Sequence, residues 1–223
     1  MSKHAVNSFL TMERPILMTA IEITAAIVIS VAAVLTSWAS FQAALWDGDQ
    51  QANYAKASGA RTAATRLATE AGQYETADLL MFQQWLNAAA AGEPRLKDFY
   101  RERFRPEFAV GFNAWMATAP LEGNAAPTTP FVMPQYHLSR LSEATVMQKA
   151  ADDFFNQGEK ANDISDAFER TTVLFAIALF FGGIGQTFKS PFVKATLLGL
   201  AVISCAVSAI QLAQLPAQTL KNI

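Results

Sequence analysis

The stretch ATLLGLAVISCAVSAIQLAQL, residues 195–215, runs for 21 positions without a charge. Roughly 20 mostly apolar residues are what a helix needs to cross the hydrocarbon core of a bilayer. Two further stretches belong with it. TTVLFAIALFFGGIGQTF, Thr171 to Phe188, is slightly short of that length, and Ile16 to Leu45 exceeds it and is interrupted by Glu22. Three buried core helices of a soluble protein are the alternative, but apolar runs of this length rarely belong to soluble folds. Composition agrees: 16% of the residues are charged, well under the roughly 25% usual in soluble domains. The apolar part of the first stretch also outruns the roughly 7–15 residue core of a signal peptide. It is therefore expected to be a retained anchor.

The expected fold is all-α: an integral membrane protein with three transmembrane helices and a helical extracytoplasmic domain continuous with the first and second spans. Lysines and arginines near helix ends set the orientation. Lys3 and Arg14 precede the first span, and Lys189 and Lys194 lie between the second and third with no acid beside them. The expected order is a cytoplasmic tail (1–15), span one (16–45), the outer domain (46–170) and span two (171–188). A cytoplasmic loop (189–194), span three (195–215) and an outer C-terminal tail (216–223) complete it. The predicted location is a bacterial inner (cytoplasmic) membrane, with the N-terminus cytoplasmic and the C-terminus periplasmic.

Between Trp46 and Ala91 the only helix breakers are single glycines, and the residues are good helix formers. One long helix is predicted from the first span to about Ala91, where Gly92 and Pro94 mark a stop and a restart. A stripe along it follows steps of three and four: Ala57, Ala60, Ala64, Leu67, Ala71, Tyr74, Asp78, Met81, Trp85 and Ala88. That is a coiled-coil-like seam. Asp78 is its one charge, and a place at the seam's edge with access to water is the preferred reading over a buried, register-setting role.

The returning segment from His137 repeats more regularly. Ala144, Ala151, Gly158 and Ser165 recur every seven residues, with Met147, Phe154, Ala161 and Phe168 between them. Small residues at one seam position let two helices approach closely. The seam packs either against the first long helix or between subunits. The pattern predicts one helix through about Thr187.

The segment FYRERFRPEF, residues 99–108, joins the two long helices. Leu96, Phe99, Tyr100 and Phe104 have helical spacing, so a short helix is predicted from Pro94 to about Phe104. Pro106 breaks it and starts another, with Phe108, Phe112 and Trp115 on one face. The rings are expected to pin this corner to Phe82, Trp85 and Leu86. Arg101, Arg103 and Arg105 lie among acids, and pairs such as Asp98–Arg101 and Glu102–Arg105 are expected on a solvated surface. An anionic ligand or a partner contact is the alternative use of these arginines. Beyond the corner, four prolines between Ala119 and Tyr136 favour an extended path. Phe131, Val132 and Met133 are expected to lie against the helical domain or a neighbouring subunit.

No chemistry announces itself. Cys205 falls within a span, and His4 and His137 are the only histidines. A hydrolase needs a nucleophile, a base and an orienting group, and neither a nucleophile elbow nor a phosphate or dinucleotide loop is present. No cofactor or metal site is expected, and a pI near 5.7 argues against nucleic acid as a partner. Glu22 needs weighing, because an ionisable residue inside a membrane is a functional hypothesis by default. If the span is Ile23 to Leu45, roughly 34 Å long at about 1.5 Å per residue, Glu22 lies at the cytoplasmic interface. The alternative is a buried, paired carboxylate on an ion or proton path. Ala26–Ser30, Ala33–Ser37 and Thr36–Ser40 are small pairs suited to helix contact. FFGGIG in span two is another such signal. In span three Ser204, Ser208, Gln211 and Gln214 form a polar face expected to meet protein.

At SFQAALW (Ser40 to Trp46), FQQW, FRPEF and PFVMP the chain resembles uncharacterised bacterial inner-membrane proteins. These have one N-terminal span, a helical outer domain and a closing helical hairpin. The resemblance covers most of the chain, implies that architecture, and carries no activity or site residues. The functional expectation is a non-enzymatic scaffold or accessory subunit, with the lipid bilayer and either further copies or a larger membrane complex as partners. The alternative is a homo-oligomeric ion channel or small-solute permease, with Glu22, Gln211 and Gln214 as candidate pore residues.

Overall fold

A computed structural model describes residues 3–121 and 127–219, with side chains described from Met18 onward. The side chains of Lys3, His4 and Arg14, and all of Lys221, lie outside the described residues. The elements in chain order are α1 (Lys3–Ala90), α2 (Pro94–Arg101), α3 (Pro106–Met116), a 3-10 turn (Pro130–Val132), α4 (Ser139–Gly185) and α5 (Pro191–Gln214). No strand occurs among the described residues. Three of the helices, α1, α4 and α5, contain segments long and apolar enough to cross a membrane.

The 88 residues of α1 form one helix, which ends one residue before the expected Ala91. Its stop has a clear cause. Gly92 adopts φ 68°, a left-handed conformation that glycine takes without a Cβ penalty. The N–H of Gly92 then reaches the Ala89 carbonyl at 3.2 Å and the N–H of Glu93 the Ala88 carbonyl at 3.0 Å. This double closure satisfies carbonyls that the helix end would otherwise orphan.

The chain divides into two compact units, residues 1–54 with 155–223, and residues 55–154. In the first, three helices pack around small residues. Ala25, Ala32 and Ala39 of α1 are fully buried, seven residues apart. They meet α4 and α5 in one cluster of Ala32, Phe175 and Ala178, and in another of Ala39, Ala43 and Phe168. The small residues Ala26, Ser30, Ala33 and Ser37 lie on another face of α1 and are exposed within the chain, and the two serine hydroxyls turn back to carbonyls four residues earlier in α1. Gly182 lies against Ile29, and Ser165 donates to the Ala43 carbonyl at 3.0 Å, so α4 runs opposite to α1. Glu22 pairs with Lys194 near the start of α5, and Gln42 bonds to Gln218 just beyond its end. So α5 runs in the same direction as α1.

Helix α5 starts ahead of the expected third span. The helix begins at Pro191, not at Ala195, so Lys194 belongs to its first turn and not to a loop. Proline is at home in that position because the missing N–H would have no helical partner.

In the second unit Phe82, Trp85, Phe104, Phe108, Phe112 and Trp115 form an aromatic core, with Phe131, Met133 and Tyr136 packed against it. The rings meet mostly edge to face, for example Trp85 on Phe112 at 4.8 Å and Phe104 on Phe108 at 4.8 Å. The corner is thus pinned as its aromatic spacing suggests, but α2 ends at Arg101 and buries none of its residues. Phe99, expected among the pinning rings, is exposed, as are Leu96 and, of the segment expected against this domain or a neighbouring subunit, Val132. The seam residues Ala57, Ala64, Leu67 and Ala71 of α1 are buried in this unit, as are Ala144 and Ala151 of α4. Gly158, Ala161, Ser165 and Phe168 continue the α4 row, buried, in the first unit, and Phe154 is half-buried.

Candidate functional site

Among the described residues of the second unit, one charged side chain is buried. Asp78 sits on α1 between Ala71 and Trp85 in the seven-residue row and is 2% exposed. The expectation that it reaches water is therefore overturned: it lies within the buried row, and a partner from outside the seam neutralises it. Arg105 donates from Nε to Oδ1 and from Nη2 to Oδ2, both at 3.1 Å, a bidentate pairing. The Tyr136 hydroxyl donates to Oδ2 at 3.1 Å. Pro106 sets this up. It biases the preceding residue away from helical geometry, and Arg105 takes φ −58°, ψ 145°, so its side chain departs before α3 begins.

The network continues. Arg105 also meets Glu107 at 3.1 Å and lies over the Tyr74 ring at 4.3 Å. Glu107 accepts from the Ser139 hydroxyl at 2.5 Å and from its N–H at 3.4 Å. A carboxylate from α3 thereby stands at the N-terminus of α4, where the helix dipole favours negative charge. The Ser139 hydrogen bond holds the Glu107 carboxyl below its usual range, against the opposing effect of burial and with the help of Arg105. Burial, followed by the charge of Asp78, pushes the Tyr136 phenol up. Burial disfavours the Arg105 guanidinium, but the hydrogen bonds and charges of Asp78 and Glu107 outweigh it, so its pKa rises.

Each of the three arginines of the corner has partners within the chain. Arg105 is neutralised by two carboxylates. Arg101 donates to Asn113 at 3.0 Å and lies over Phe112. Arg103 covers the exposed Phe99 ring at 3.6 Å and donates to the Phe99 carbonyl. The expected Asp98–Arg101 and Glu102–Arg105 pairs are not among the ion pairs of the described residues. His137 and Ser142 stand 2.8 Å apart on the surface, and among the described residues no carboxylate orients the imidazole. No group of three or more His, Cys, Asp or Glu among the described residues is placed to hold a metal.

In the first unit the candidate pore residues fall at opposite ends. Glu22, 53% exposed at its side chain, pairs at 2.8 Å with Lys194, which is 8% exposed. The carboxylate is thus paired yet open, while its ammonium partner is the buried member. Gln211 and Gln214 are exposed near the other end of α5, about 26 and about 30 Å from Lys194 at roughly 1.5 Å per residue. Between them lie Ala32, Phe175, Ala178 and Cys205. The Ser204 hydroxyl donates to the Leu174 carbonyl at 2.8 Å, and that of Ser208 to the Ser204 carbonyl at 2.7 Å. That part of the α5 polar face meets protein within the chain, whereas the two glutamines are exposed there.

Comparison with protein-family models, curated proteins and solved structures finds no match for this chain. Four residues of consequence escape a reading of the sequence. By sequence, Tyr136 falls in a loose proline-rich segment and Lys194 in a loop. Gly111 admits the close approach of the Tyr136 backbone. Gln42, inside SFQAALW, is fully buried, and only its polarity within an apolar helix signals a partner.

Proposed function

We propose that the chain is a non-enzymatic scaffold or accessory subunit of a bacterial inner membrane. Its N-terminal side faces the cytoplasm, and residues 55–154 form a periplasmic helical domain. Assembly occurs with further copies or with a larger membrane complex. The observation that carries this reading is the chemistry of the faces turned outward from the three apolar helices. Ile23, Ile27, Val31, Val34, Trp38 and Phe41 line the outside of α1, and Ile203, Val207 and Ile210 that of α5. Such faces suit lipid or the apolar helices of a partner. A pore between subunits would need polar groups along one continuous axis, whereas Glu22 stands at one end and Gln211 and Gln214 at the other.

The test is particle mass and flux together. The chain extracted from its native membrane, in detergent and in lipid nanodiscs, is expected in a particle heavier than one copy. Proteoliposomes are expected to leak neither protons nor small ions above the lipid background. A closed ring with ion flux abolished by Glu22→Gln would replace this reading with a channel. A reporter active only in the cytoplasm should work when fused ahead of Met1 and fail when fused after Ile223; the opposite pattern would reverse the assigned sides.

A further inference from the structure

Beyond Ser208, no α5 residue is buried: its buried positions are Lys194, Ala201 and Ser208. Gln211 and Gln214 are exposed, and Leu212 and Leu215 are half-buried. Apolar packing at this end comes from Leu212, which touches both clusters of the unit, and Leu215, which touches the one around Ala39 and Phe168. The segment just past the helix is engaged as well. Leu215 leaves helical geometry at φ −84°, ψ 142°, and Pro216 cannot continue the helix. The chain then lies along α1 over Gln42, Trp46 and Asp49, which share one helix face at spacings of four and three.

The contacts read the main chain of that segment. Gln42 donates from Nε2 to the Gln218 carbonyl at 3.1 Å and accepts the Gln218 N–H on Oε1 at 2.8 Å. One side-chain amide thus makes the pair of bonds that a neighbouring strand residue would make. Trp46 Nε1 donates to the Pro216 carbonyl at 3.0 Å. A single hydrogen bond reaches a side chain of the segment: Gln218 Nε2 donates to Asp49 Oδ2 at 2.7 Å. Gln42 is 0% exposed, and a buried primary amide without partners is costly, so opening this contact strands a polar group in an apolar helix.

We propose that Gln42, Trp46 and Asp49 form a site for an extended peptide backbone, whose resident is the chain's own segment 216–218. Closed in this way, the site is a latch that fixes the far end of α5 against α1. Because it reads backbone, it tolerates changes of side chain in the segment but not the loss of the Gln218 N–H.

Hydrogen exchange of the Gln218 amide, in the full chain in nanodiscs, tests the latch. The amide should exchange at least about tenfold more slowly than in a free peptide of the same sequence, which corresponds to about 1.4 kcal/mol. Gln42→Leu should bring it to the free-peptide rate, while Gln218→Ala, which removes only the Asp49 contact, should leave most of the protection. Free-peptide exchange in the parent, or full protection in Gln42→Leu, would overturn the proposal. A second measurement stands if Gln42→Leu fails to fold. In a Cys205→Ser background, cysteines at Ala39 and Leu212 report whether α5 is seated on α1. Gln218→Pro should lower their oxidative cross-linking several-fold and Gln218→Ala should not; equal yields in the two would overturn the latch. Cross-links joining differently tagged copies would overturn the assignment of the resident to the same chain.

Discussion

Gly111 of α3 and Tyr136 approach so closely that a methyl group on the glycine would stand 2.8 Å from the Tyr136 Cβ and 3.1 Å from its Cα. A backbone neighbour cannot rotate away as a side-chain tip can. Gly111→Ala should therefore push α3 from the Tyr136 backbone and loosen the hydroxyl's bond to Asp78. Overpacking of this kind costs roughly 1–3 kcal/mol. Thermal unfolding of the full chain, with protease resistance of residues 55–154, would show it; an unchanged midpoint would mean that the two segments lie farther apart.

Asp78→Ala removes the carboxylate and leaves Arg105, 26% exposed at its side chain, with only Glu107. Breaking a buried pair on one side costs roughly 3–5 kcal/mol, and the partial exposure of Arg105 places the expectation near the lower end. Phe104→Ala, which empties a position in the aromatic core, should cost about 3–5 kcal/mol. Arg103→Ala, which uncovers an exposed ring, should cost about 0–1 kcal/mol. Urea unfolding of the three variants gives the ranking. Arg103→Ala as the worst of them would mean that the corner holds a charge-dependent role absent from this geometry.

Two helical glycines should respond with opposite signs. A Cβ on Gly158 would stand 2.5 Å from the Tyr54 ring, whereas one on Gly59 would meet nothing within 4 Å. Gly158→Leu is expected to destabilise the fold by roughly 1–3 kcal/mol. Gly59→Ala is expected to stabilise it by up to about 1 kcal/mol through helix propensity. A gain at position 158 would show that α4 does not press on Tyr54. A loss at position 59 would reveal a contact on that open face, made by another copy or a partner.

The second unit should lose stability at both pH extremes, for separate reasons. The folded pKa of Glu107 is lowered from 4.5, so its contribution is present above about 4.5 and fades as pH falls through the folded value. The folded pKa of Tyr136 is raised from 10.0, so its contribution is present below that value and is lost as pH climbs above it. Ser139→Ala should blunt the acid edge and Tyr136→Phe the alkaline one, read as the difference from the parent in unfolding midpoint against pH. Variants whose curves parallel the parent at both edges would remove these two groups from the account.

The long helices are legible in the sequence because nothing between Trp46 and Ala91 interrupts helix-forming residues, and the α4 row at 144, 151, 158 and 165 because its spacing is strict. The choice between Ala25 and Ala26 as the buried face of α1 is not. Small residues occupy both rows, and a rotation of about 100° per residue separates two faces of nearly equal composition. Asp78 is illegible for another reason. Its place in the row is visible, but the cost of burying it is offset by Arg105, 27 residues away, and Tyr136, 58 away, joined only by the tertiary fold. Lys194 falls in a loop by sequence because the uncharged run begins at Ala195, and such a run does not show where the helix itself starts, at Pro191.

The common direction of α1 and α5 leaves unit one with a single unknown of sidedness. Whichever side of a bilayer receives the Glu22 end also receives the start of α5 and the link before it. The opposite side receives Trp46, the end of α5 and the segment beyond. One impermeant label on the 186–190 link would therefore settle all six assignments together. A second label, on Asp47 or Pro216, would be redundant in a correctly inserted molecule and informative only in a misinserted one.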